Sequence, residues 1–223
     1  MGSSGWAMYM KIFVLRSRKD RIAAMTTDKT GITKKGQQTR EKIFQAALGL
    51  IKERGYEQTK LVDICKAAGI ASGTFYHHFA SKQDILVEYV KEESRDLMNY
   101  YESLPKESYA EAFLQVMDYQ AIYFERKGTE FVATFYSIML LSNNSIYNYG
   151  EFSLFSIIYD CFEKGQKQGE FTGQFTPGYM FELAIGLLYT ITSFWCIYSS
   201  GVDMRQDIRG RMENLLEILR PTG

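Results

Sequence analysis

The residues of this 223-residue chain whose types and spacing could do chemistry lie between Thr59 and Leu86, in the run TKLVDICKAAGIASGTFYHHFASKQDIL. Leu61, Ile64, Cys65 and Ala68 recur at i, i+3, i+4 and i+7, which gives one buried helical stripe. Gly69 breaks that pattern. Beyond Ile70 come Ala71, Ser72, Gly73 and Thr74, all small or hydroxyl-bearing, and then the cluster Phe75, Tyr76, His77, His78 and Phe79. A helix, a glycine turn and a second helix with small, hydrogen-bonding outer residues can bring a backbone close to DNA. A glycine inside a helix costs about 1 kcal/mol relative to alanine, and close approach to a groove would explain that cost at Gly73. Thr59 and Lys60, where the first helix begins, offer N–H groups and a cation to a phosphate. Lys82, at the start of the following helix, offers a second cation. Ser72, Thr74 and His77 can reach base edges or phosphates, whereas Phe75 and Phe79 read as core. His77 and His78 diverge by about 100° on a helix and have no Cys or acid at ligand spacing, so no metal site is expected.

The order of Thr59, Asp63, Ile64, Ala68, Gly69, Gly73, Thr74, Tyr76, His78, Phe79, Ser81 and Lys82 resembles the N-terminal DNA-binding domain of TetR-type bacterial transcriptional repressors. The resemblance is motif-specific over residues 37–86 and architectural beyond them. It implies that Tyr76 contacts a phosphate and that His78 packs at the end of the recognition helix. It also implies a small-molecule inducer held among the helices of the second half. Two positions depart from the pattern. Ala71 stands where the family usually has Ser or Thr, so capping of the recognition helix passes to Ser72 or to water. Cys65 replaces a usual Ala, one small core residue for another.

Charge supports this polarity. Residues 1–91 hold 16 Lys and Arg against 8 Asp and Glu, a net +8, and residues 92–223 hold 10 against 18, a net −8. A basic end and an acidic body imply that only the N-terminal part approaches a polyanion. The opening MGSSG looks like an expression scar, and Met25 is a plausible natural start. Residues 25–91 alone still carry 11 basic against 7 acidic residues, a net +4. The apolar run Trp6–Leu15 is followed, not preceded, by RSRKDR, which argues against a signal peptide. Cys65, Cys161 and Cys196 are odd in number and far apart, as suits reduced thiols in a cytoplasm.

The elements that must position these residues read as follows. Residues 1–36 form an arm, of which 1–24 are tag or upstream translation. A helix over 37–54 ends at Gly55, and the helix-turn-helix completes a DNA-binding domain over 37–84. Ser81 with Asp84 starts a capped helix running to Ser103. Residues 85–223 form a ligand-binding and dimerisation domain with helices near 107–126, 129–142, 151–168, 177–199 and 203–219. The fold class is all-α, because no period-two run of β-branched residues appears. The uncharged segment Leu183–Tyr198 is read as a buried helix rather than a membrane span, at 16 residues against the roughly 20 a span needs.

From Thr129 to Phe162 the chain has three acids, no base and a high density of rings, which suits a core or a cavity. Given the resemblance, the cavity reading names Phe131, Phe135, Phe155 and Tyr159 as inducer contacts. Aromatic faces and carboxylates favour a neutral or cationic lipophilic ligand over a fatty acid or acyl-CoA. Met204, Ile208, Met212, Leu215 and Leu219 form an apolar seam, read with the resemblance as a homodimer interface in a four-helix bundle. The chain thus reads as a cytoplasmic, homodimeric repressor, released from a palindromic double-stranded DNA operator by a small inducer. No catalytic residue, cofactor, metal or membrane partner is expected. The alternatives are an enzyme acting on a hydrophobic small molecule and a helical interaction protein without DNA binding. The sequence offers the first no nucleophile elbow, phosphate loop or paired metal ligands.

Overall fold

The computed structural model describes residues 33–141, 153–198, 201 and 203–221. Among them eight helices and no strand occur: α1 Lys34–Arg54, α2 Leu61–Ala67, α3 Ser72–His78, α4 Lys82–Ser103, α5 Tyr109–Leu141, α6 Ser153–Lys167, α7 Pro177–Tyr198 and α8 Met204–Ile218. The expected tag, the apolar run Trp6–Leu15, Met25 and the rings Tyr147, Tyr149 and Phe152 lie outside the described residues.

Local chemistry sets the helix limits. The Thr33 hydroxyl accepts from the Gly36 N–H at 3.2 Å, so α1 starts three residues before the expected Gln37. It ends at Gly55, whose φ of 83° suits glycine and whose missing side chain leaves room for Glu130: a Cβ there would stand 2.7 Å from Oε1 of that residue. Ser81 and Asp84 form the expected reciprocal capping box on α4. The two helices expected over 107–126 and 129–142 are one element, α5, broken at Gly128 where φ is 79° and ψ 164°. The turn between α6 and α7 is tied to the start of α5 by Glu170. Its carboxylate accepts from the Ser108 hydroxyl at 2.7 Å and from the Tyr109 and Ala110 N–H groups at 2.7 and 3.0 Å.

Two cores result. Ile43, Phe44 and Ala47 of α1 close over Ile64, Cys65, Phe75, Phe79 and Ile85. Fully burying one such side chain contributes about 1.5–3 kcal/mol, enough to orient helices as short as α2 and α3 that would not persist alone. The larger core joins α4 through α8 around Phe113, Met117, Ile158 and Phe162. A third cluster joins the two regions. Tyr56, Leu86 and Val87 pack with Ile138 and Phe155, and Phe131 and Phe135 lie against them.

Two expectations about the last helices need correction. Met204, Ile208, Met212 and Leu219 are fully buried and Leu215 is 8% exposed, so the seam of α8 is spent on this chain's own core. Helix α7, at 22 residues, is long and apolar enough to cross a membrane by length and composition. It is only partly covered: Met180, Ala184, Leu188, Ile191 and Thr192 face inward, while Phe194, Ile197 and Tyr198 are 55%, 68% and 65% exposed.

Candidate nucleic-acid interface and effector cavity

Helix α3 turns Phe75 inward, with none of its surface exposed, and presents Ser72, Gly73, Tyr76 and His77 outward, with Thr74 half-buried. The Tyr76 ring is 59% exposed and lies edge-on to Phe75 at 5.6 Å. A Cβ built at Gly73 would meet no atom within 4 Å, so the internal packing does not require glycine there. As expected, Ala71 supplies no side-chain cap. The open N–H groups at the start of α3 therefore stay available to an acceptor outside the protein. Lys60, N-cap residue of α2, is exposed. His78 is half-buried with its Nδ1 enclosed and without a partner among the described residues. Arg40 holds the module to α4 through a two-pronged pair with Glu88, and its guanidinium lies 4.5 Å over the Phe79 ring.

Two of the eight residues expected at DNA point elsewhere. Thr59 is fully buried and its hydroxyl donates to the Gly55 carbonyl at 2.7 Å. Lys82 folds back. Its ammonium donates to the carbonyls of Tyr56 and Thr59 at 2.7 and 3.0 Å and lies 3.8 Å over the Tyr56 ring. Burial lowers its pKa, opposed by the nearby Glu57. The turn over residues 56–59 has carbonyls that no helix satisfies, and these two side chains close it. The two lysines should therefore separate on substitution. Lys60→Ala lowers the slope of log affinity against log salt by about 0.9 and leaves sequence preference alone. Lys82→Ala lowers stability, by the roughly 1.5–3 kcal/mol of hydrogen bonds to a charged donor. Thermal melts and salt titrations of DNA binding check this. A Lys82 variant of unchanged stability with a flattened slope would return that lysine to the phosphate.

A cavity of about 80 Å³ lies between α4, α5, α6 and α7. Phe131, Phe135 and Phe155 line it, as expected from the sequence. Tyr159 does not. The wall from α6 is Leu154 and Phe155, and Tyr159 sits one turn further along that helix. Sequence reasoning missed Glu93 and Ser94 on α4, Tyr119, Gln120 and Tyr123 on α5, and Tyr189 on α7. Polar Ser94 and Gln120, both buried, interrupt apolar stripes, which is the signal that could have found them. The Tyr123 hydroxyl is enclosed with no hydrogen-bond partner among the described residues, and burial raises its pKa, with Glu93 adding in the same sense. Glu93 is the charged residue of the wall. Among the described residues no group of three His, Cys, Asp or Glu could hold a metal ion, and Cys65, Cys161 and Cys196 are unbridged.

Residues 43–89 match the family described as bacterial regulatory proteins, tetR family. The chain is 40% identical over 65 residues to the fatty acid metabolism regulator protein of Bacillus subtilis strain 168, a match covering 29% of this chain and 34% of that one. It thus spans about a third of the length of the curated relatives it matches. Its fold is similar to that of Thermus thermophilus FadR, a TetR-family repressor solved with lauroyl-CoA, at a TM-score of 0.64 and 22% identity, covering 80% of this chain and 93% of that one. It is also similar to RolR solved with resorcinol, at a TM-score of 0.62 and 18% identity, covering 82% of this chain and 88% of that one. At such identities the likeness is one of fold. The outward surface of α2 and α3 and the match over residues 43–89 agree on one conclusion: residues 43–89 of this chain are a helix-turn-helix of the type found in the tetR family of bacterial regulatory proteins.

Proposed function

We propose that the chain is a cytoplasmic, homodimeric transcriptional repressor that leaves a palindromic operator when a small lipophilic ligand fills the cavity. Residues 37–84 serve as the DNA-binding domain and 85–223 as the ligand-binding and dimerisation domain. The operator contacts are Lys60, Ser72, Gly73, Thr74, Tyr76 and His77. Phe131, Phe135 and Phe155 contact the ligand.

The observation that carries this reading is the sharing of side chains between cavity and DNA module. Phe131, Phe135 and Phe155 line the cavity and also belong to the cluster that packs on Tyr56, in the turn just before α2. A cavity of about 80 Å³ is far below the roughly 300 Å³ of ordinary ligand pockets. A ligand of useful size must therefore move its walls, and one wall is α4, which begins four residues after α3 ends. A dimer reads half-sites about one helical turn or a multiple of it apart, so a change in the separation of two recognition helices removes simultaneous docking.

The ligand is neutral or cationic. Lauroyl-CoA, held by the Thermus thermophilus protein, is an anion, whereas resorcinol, held by RolR, is neutral. Here the wall carries one carboxylate, eight aromatic rings and no base. An anion buried against Glu93 would meet that carboxylate's repulsion and would have to compete with it for the Lys127 ammonium, 2.8 Å away.

The test has two steps. Selection from random duplexes at physiological salt should enrich a palindrome, and fluorescence anisotropy should show 3-phenylpropan-1-ol or 3-phenylpropylammonium releasing it, with 3-phenylpropionate inert. Failure to enrich any sequence would favour the helical interaction protein. Release by the carboxylate alone would reverse the ligand charge.

A further inference from the structure

Lys127 occupies a site that chemistry would otherwise assign to a ligand. Its Nζ is 2.8 Å from Oε1 of Glu93, donates to the Tyr89 hydroxyl, and lies 4.3, 5.1 and 5.9 Å from the ring centroids of Tyr89, Tyr123 and Phe131. One carboxylate and three aromatic faces around an ammonium make up a cation cage. Glu93, Tyr123 and Phe131 are at the same time walls of the cavity, while Lys127 and Tyr89 are not. The cage therefore opens on the cavity, and its cation comes from outside. Lys127 directly precedes Gly128, the break in α5, and a Cβ at Gly128 would meet nothing within 4 Å. The break thus rests on the glycine's positive φ, with open space beside it. The ammonium ties the break to Tyr89 and Glu93 of α4, the helix that leaves the DNA-binding module.

We infer that Lys127 is a built-in placeholder for an organic cation: a ligand ammonium entering the cavity takes Glu93 and the ring faces, expels the lysine to solvent and unties α4 from the break in α5. The inference rests on the reading of the cavity as an effector site. It adds the ligand's polar group, the residue displaced and the first contact to change. A lysine suits the role because its charge sits on a flexible stem that can swing out without moving the backbone. The Tyr123 hydroxyl, enclosed and without a hydrogen-bond partner among the described residues, is a second group on the wall that a ligand donor or acceptor can satisfy.

The experiment titrates 3-phenylpropylammonium, 3-phenylpropan-1-ol and 3-phenylpropionate into the full chain by calorimetry, with Lys127→Met, Lys127→Gln and Glu93→Gln alongside. Circular dichroism melts screen each variant for folding. Both lysine variants should bind the ammonium about tenfold tighter, since no internal cation has to leave, an effect of about 1.4 kcal/mol. Glu93→Gln should lose that gain, and the alcohol should bind all variants alike. The lysine variants should also bind the selected operator more weakly without ligand, because the tie to α4 is already cut. Equal ammonium affinity with and without Lys127 would overturn the placeholder while leaving the effector cavity standing on the alcohol. Carboxylate binding that disappears in both lysine variants would overturn it too, by making Lys127 an anion receptor. Failure of all three probes to bind any variant would overturn the cavity reading itself.

Discussion

Gly73→Leu abolishes sequence-specific DNA binding without loosening the fold. The position is outward-facing, and a Cβ there meets no atom within 4 Å, so a leucine side chain goes into solvent. Replacing a helical glycine by leucine removes most of the roughly 1 kcal/mol propensity cost, and the melting temperature should stay level or rise. On DNA the same side chain stands between backbone and groove. It holds Ser72, Thr74, Tyr76 and His77 away from bases and phosphates together, so the loss is collective. Specific binding typically exceeds non-specific by at least about 10³-fold. The leucine variant should retain only the non-specific part, a loss of about 4 kcal/mol. Gly73→Ala should fall between. Anisotropy with the selected operator and with a scrambled duplex reads the two parts separately. Operator affinity within threefold of the parent would move the recognition surface off α3.

How much of this was legible in the sequence differs by element. The helix-turn-helix was legible because its signals are local: a stripe at helical spacing, a glycine turn, and the Ser81–Asp84 capping box. Lys82 was misread because an N-terminal lysine in a helix looks solvated. Only the chain path shows that the turn at Tyr56 and Thr59 brings two backbone carbonyls within its reach. Gly128 was legible as a break between helical patterns, yet nothing local says that the two halves form one bent element. The density of rings over residues 129–162 located Phe131, Phe135 and Phe155 correctly in the wall. It could not supply Glu93, which comes from α4, or Tyr123, which lies on α5 just ahead of that window.

The dimer face is the instance where periodicity misled most, and it carries the second large prediction. An apolar stripe of period 3.6 is required equally by a chain's own core and by a partner. The stripe of α8 faces α5 inside the same chain and is buried. What remains uncovered is the outward side of α7, where Phe194 stacks on Tyr198 at 5.8 Å and Ile197 stands 68% exposed, with small Gly186, Thr190 and Ser193 exposed beside them. On the proposed function a second copy of this chain would cover it, because a two-fold axis sets the same face against itself and a palindromic operator would call for that symmetry. Under two-fold symmetry Phe194→Asp with Ile197→Asp places four carboxylates at the interface and removes four apolar side chains. Each apolar loss costs about 1.5–3 kcal/mol, and the unpaired charges cost several more. Sedimentation velocity should report a folded monomer at micromolar concentration, with a melting curve that no longer depends on concentration. Leu215→Asp with Leu219→Asp should instead unfold the chain, since those side chains fill its own core. If the α7 variant stays dimeric while the α8 variant becomes a folded monomer, the interface lies on α8 and the observed packing of its seam is wrong. If the α7 variant is monomeric, it should also hold only one half-site at a time. Its operator affinity should then fall toward that of a single module, even though every outward-facing residue of α3 is intact.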